Sequence, residues 1–137
     1  MRESIRTTRL FNFLSAVLAF LLWGGWAYHI NSASSPQSGV VAALTQGTAS
    51  FLITLFMVHA VTFLFHRFQK PFVKVILPAV LVNSVTGFCL VSVHTLMGTP
   101  RVFATILPAL TVAFSFCIFT ACKLLKLFQQ QGNTSYE

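Results

Sequence analysis

Apolar positions in this chain form neither a strict two-residue nor a strict helical alternation. They gather into four long runs, over residues 10–30, 40–65, 75–97 and 102–125. Each run is long enough to cross a hydrocarbon layer of ~30 Å as a helix rising ~1.5 Å per residue. A spanning barrel needs short alternating strands, at least eight of them, and these runs are continuous. The pattern therefore predicts an all-α integral membrane protein with four transmembrane helices. The polar connections, 31–39, 66–74 and 98–101, are short. Sequential helices joined this way lie antiparallel and adjacent, so an up-down-up-down bundle is expected, one membrane domain over 1–137. Residues 126–137 read as a tail on the cytoplasmic side, polar and frayed from Gln129 to Glu137.

Turn chemistry agrees with these boundaries. Ser35-Pro36 and Thr99-Pro100 each read as an N-cap followed by proline at the first helical position. The two prolines are 64 positions apart, and His29 and His94, Ser50-Phe51 and Ser115-Phe116, and Ile53 and Ile118 recur at 65. Two readings of these matches stay open. One is a duplicated two-helix unit, a 2+2 repeat whose halves have parallel topology. The other is the similarity that all apolar spans share through composition.

Charge orients the bundle. Arg2, Arg6, Arg9, Arg67, Lys70, Lys74, Lys123 and Lys126 fall at one end, and Arg101 stands alone at the other. The positive-inside rule places the first group and both termini in the cytoplasm. The formal net charge of +7 is then a topology signal that also suits anionic lipid headgroups, and nucleic-acid binding is not expected. The basic start of the chain is compatible with a signal peptide, but its apolar run is longer than a usual h-region, and Trp23 and Trp26 sit where an interfacial belt belongs. An uncleaved anchor is the expectation, in a chain that resembles, only generically, small bacterial inner (plasma) membrane proteins.

Composition narrows the chemistry. Hydrophobic residues make up 55% of the 137 positions and charged ones 8%, with mean hydropathy +0.78, far from the ~25% charge of soluble domains. The two acids, Glu3 and Glu137, are at the extremes. Two-carboxylate hydrolysis, carboxylate-based proton coupling and carboxylate metal sites are thereby excluded from the spans. The three cysteines, Cys89, Cys117 and Cys122, share no ligand spacing with a histidine and read as reduced core residues. No enzyme activity, cofactor or metal is expected.

Two kinds of position remain. Helices in lipid associate through close packing and interhelical hydrogen bonds, so small residues at helical spacing mark inner faces. Thr105, Ala109, Ala113, Cys117 and Ala121, four apart, form the clearest packing stripe. Polar groups inside a membrane are functional candidates by default. Gln46 and Asn83 read either as interhelical bonding partners or as the lining of a polar path. His29, His94 and Arg101 read as interfacial anchors, as donors of an outward-facing vestibule, or, for the two histidines, as axial haem ligands. His59 lies on a line with Thr45, Thr62 and His66, which could be a polar seam or a proton-responsive one.

Two function classes follow. The first is a non-enzymatic helper or structural subunit of a larger membrane assembly. The second is a small carrier or channel acting as a homo-oligomer.

Overall fold

The computed structural model describes residues 2–134, with side chains from residue 8 onward. Four helices follow one another: α1 (Arg2–Asn31), α2 (Pro36–Phe65), α3 (Pro71–Leu96) and α4 (Val102–Thr134). All four are long and apolar enough to cross a membrane, and the described residues contain no strand. α4 runs through most of the segment expected to be a frayed tail. Lys and Gln are good helix formers, and nothing stronger than Gly132 interrupts them.

Local chemistry sets the turns. The Ser35 hydroxyl accepts the Ser38 N–H at 3.1 Å, with Pro36 opening α2, as the sequence predicts. The end of α3 is a Schellman turn around Gly98, the one described residue with left-handed backbone (φ 73°). The Gly98 N–H donates to the Thr95 carbonyl at 3.2 Å, and the Thr99 N–H to that of His94 at 2.9 Å, the pairing that defines the motif. An alanine there is expected to cost ~1–2 kcal/mol, because a Cβ disfavours left-handed backbone. Asparagine tolerates that conformation better. Thermal melting in detergent should therefore rank Gly98→Asn above Gly98→Ala, and equal melting points would contradict the turn assignment.

The start of α4 departs from expectation. Thr99 does not cap it, since its hydroxyl is turned back onto His94, and the helix begins at Val102. The Arg101 N–H is met instead by the Oδ1 of Asn31, from the end of α1, at 3.0 Å. The free N–H groups of a helix start need acceptors, and here one comes from another helix.

Packing is unequal around the bundle. α1 lies along α2, with Phe13 edge-on to Phe51 at 6.0 Å and Gly24 against the backbone of Ala43 and Gly47. α3 and α4 form the second closely packed pair, and α2 joins the two pairs. Among the described residues α1 and α3 do not meet, and α1 touches α4 sparingly. The principal apolar core gathers Met57, Val61, Phe65, Ala79, Val82, Cys117 and Ala121 from α2, α3 and α4. Of the predicted α4 stripe, Thr105, Ala109, Cys117 and Ala121 are buried and Ala113 is half-buried. Large apolar side chains such as Leu18, Phe56, Phe88 and Phe119 point outward. Such a surface is a liability in water and an ordinary one in lipid.

Lys74 corrects one detail of the charge pattern. Counted with the connection by sequence, it is 5% exposed. Its Nζ donates to the Phe65 carbonyl at 3.0 Å and lies 4.3 Å and 4.7 Å from the ring centroids of Phe65 and Phe128. An unpaired carbonyl at the end of α2 thereby gains a charged donor, and two aromatic faces offset part of the desolvation of the ammonium.

Candidate functional site

Proline chemistry builds the junction of α1 and α4. Pro108 has no N–H, so the carbonyl four residues earlier, that of Ala104, loses its helical donor. The indole N–H of Trp26 supplies the missing bond at 3.1 Å. One turn further, Asn31 is fully buried. Its Nδ2 donates to the Ala27 carbonyl and to the Thr105 hydroxyl, both at 2.8 Å, while its Oδ1 takes the Arg101 N–H. Thr105 passes its own proton to the Arg101 carbonyl at 2.6 Å. Every polar atom of the Asn31 carboxamide is thus engaged. This residue was assigned to a connection by hydropathy, and its isolation at the close of an apolar run was the one signal of its role.

A second buried network lies across α2 and α3. Gln46 and His94 are fully buried, and the His94 Nε2 is 2.7 Å from the Gln46 Oε1. The Gln46 Nε2 donates to the Ser50 hydroxyl at 3.2 Å. With Oε1, a pure acceptor, toward the imidazole, the His94 Nε2 carries a proton. In the neutral ring Nδ1 is then an acceptor, and the Thr99 hydroxyl donates to it at 2.7 Å. The Schellman turn is what folds Thr99 back over the ring. A chain of four polar groups, Ser50–Gln46–His94–Thr99, therefore runs from the bundle interior to the 97–101 turn.

A cavity of about 370 Å³ lies beside this network. Asn12, Ser15, Ala19 and Trp23 form its α1 wall, and Ala109, Ala113 and Phe116 its α4 wall. Gln46, Ser50, Thr86 and Leu90 are buried lining residues from α2 and α3, and Ile53, Met57 and Val58 continue the α2 lining. Small residues on both flanking helices keep the walls apart. Beyond the Trp23 and Ala109 level, the Trp26 and Asn31 bonds tie α1 to α4. Its lining is mostly apolar, and the Gln46 and Ser50 side chains already bond to each other.

The candidates read from sequence are thus redistributed. Gln46 and His94 come together as direct partners. Asn83 does not join them: its Oδ1 is buried with no hydrogen-bond partner among the described residues. Arg101 projects its side chain outward while His94 faces inward, and His29 is exposed beside Trp26, with ring centroids 6.0 Å apart. His29, His94 and Arg101 therefore do not converge on one vestibule. The physical reason is that α1 and α3 stand apart in the bundle, which no single-helix periodicity encodes. For the same reason the two histidines do not fit a shared haem, and both nitrogens of His94 are taken. His59 is exposed on the outer face of α2, so the expected seam through His59 does not face a neighbouring helix. The described residues contain no cluster of histidine, cysteine or acid side chains able to hold a metal. No family model matches the chain, and neither does any curated protein or solved structure.

Proposed function

We propose that the protein is a non-enzymatic helper or structural subunit of a larger membrane assembly, resident in a bacterial inner membrane. One observation carries this reading: apart from the Asn83 Oδ1, the buried polar groups of the two networks are spent on one another. His94, Gln46, Asn31 and Thr105 complete their bonds inside the bundle. What remains for interaction is the outer apolar surface and the cleft, the equipment of a protein that associates within the bilayer. Four antiparallel crossings, up-down-up-down, place both ends of the chain in the cytoplasm. The contact order along α1 and α2 supports this, with Phe13 by Phe51 and Gly24 by Ala43, as does the eight-to-one distribution of basic residues. A second reading, a small carrier acting as a homo-oligomer, draws on the cleft reaching as deep as Gln46.

Two measurements test this. Reporter fusions after Ser38 and Gly98 should lie outside, and fusions after Gln69 and at the chain's end inside. An inside signal at Ser38 would reverse the orientation. Extraction in mild detergent, followed by mass determination and mass spectrometry, should find a larger membrane partner in fixed stoichiometry. Recovery of a homodimer and nothing else would overturn the helper reading in favour of the carrier.

A further inference from the structure

We propose that the cleft between α1 and α4 is a lipid site: it takes one acyl chain of an anionic phospholipid, whose headgroup rests between Arg9 and Lys123. Shape decides against a whole helix as the occupant. A helix is ~10 Å across, and a cavity of about 370 Å³ accepts individual side chains from one but not its body. An unbranched hydrocarbon chain suits a mostly apolar trough whose lining runs from Phe11 to Trp23 along α1. The lining tolerates such a chain, because Gln46 and Ser50 bond to each other and leave no group orphaned by an apolar neighbour.

The headgroup end is fixed by helical register. Asn12, Ser15, Ala19 and Trp23 follow one face of α1, and Arg9 lies on that face one turn before Asn12. On α4, Lys123 lies two turns beyond the lining residue Phe116. The pairing of Trp26 with Ala104 and of Asn31 with Arg101, continued down both helices, brings Arg9 level with Lys123. Both side chains are exposed. No Asp or Glu occurs between Glu3 and Glu137, so no internal acid competes for these cations. From the level of Trp23 to that of Arg9 is ~20 Å along the helix, the scale of a fatty acyl chain reaching from headgroup depth to mid-bilayer. The two cations give the site one orientation. This inference is independent of the helper reading: its test uses the purified chain alone and says nothing of a protein partner.

The test exploits Trp23 in the cleft wall, with Trp26 beyond it as an internal reference. The full chain is placed in phosphatidylcholine vesicles containing a minor fraction of lipid with brominated acyl chains, which quench indole on contact. Brominated phosphatidylglycerol should quench at about 30-fold lower mole fraction than brominated phosphatidylcholine, the scale expected of two cations at a membrane surface. Trp23→Phe should remove that component. Arg9→Gln with Lys123→Gln should bring the two lipids to parity while quenching persists. Ala113→Phe and Ala19→Phe plug the cleft from opposite walls, and either, once folded by circular dichroism, should abolish the preferential quenching. Equal quenching by the two lipids in the native chain would overturn the proposal, and that comparison needs no variant. So would undiminished quenching in a folded plugged variant, quenching by brominated free fatty acid in place of phospholipid, or protection of Trp23 by a second copy of the chain.

Discussion

Asn31→Leu is expected to lower stability in detergent by roughly 2–3 kcal/mol, the scale of leaving buried polar groups without partners. The variant removes three bonds, to the Ala27 carbonyl, the Thr105 hydroxyl and the Arg101 N–H. Two of them join α1 to α4, a pair with little other contact. Loss should therefore show as separation of these helices as well as a lower melting point. A disulfide-trapping pair across the 26–104 junction would form in the parent and fail in the variant. His29→Leu, two residues away on an exposed face, is the control and should fall within ~0.5 kcal/mol of the parent. If the two substitutions are equally mild, the Asn31 carboxamide does not hold the junction.

The neighbouring glycines of α1 provide the second large contrast. A Cβ on Gly24 would stand 3.1 Å from the Ala43 carbonyl oxygen and 3.6 Å from the Cα of Gly47, both backbone atoms that cannot turn aside. A Cβ on Gly25 meets nothing within 4 Å. Gly24→Leu should therefore force α1 and α2 apart, costing at least the ~1–3 kcal/mol of ordinary overpacking. Gly25→Leu should be neutral or mildly stabilising, since glycine inside a helix costs ~0.5–1 kcal/mol relative to alanine. Melting temperatures of the two variants decide it, and a reversed order would refute the packing described for this pair.

The four helices were legible because a bilayer imposes a length on apolar runs that few other structures require. The Ser35-Pro36 cap was legible for a similar reason: it is chemistry within four residues. Where the reading failed, the deciding partner lay on another helix. Thr99 carries the same local signature as Ser35, yet its hydroxyl is claimed by His94 and the start of α4 is served by Asn31. Gln46 and His94 were both suspected, but their pairing depends on α2 lying against α3 with a rotation that periodicity leaves free. Lys74 looks like any basic residue of a connection until the ends of α2 and α4 close over it. The helix extensions at Arg2 and Thr134 escaped because hydropathy marks where a span leaves the membrane, not where a helix stops.

The Trp26–Ala104 bond closes a loop of 78 residues, and the Asn31–Thr105 bond one of 74. The α1–α2 hairpin is complete in sequence at Phe65, long before α4 has been synthesised. During that interval the Asn31 carboxamide has only its bond to the Ala27 carbonyl, because its partners at Thr105 and Arg101, and the Ala104 carbonyl that takes the Trp26 indole N–H, do not yet exist. The first hairpin is therefore made before its bonds to α4 can form. Arrival of the fourth helix completes both bonds together. The α1–α4 junction therefore closes only once the fourth helix is present, so the clasp joins the earliest and the latest parts of the chain to be made.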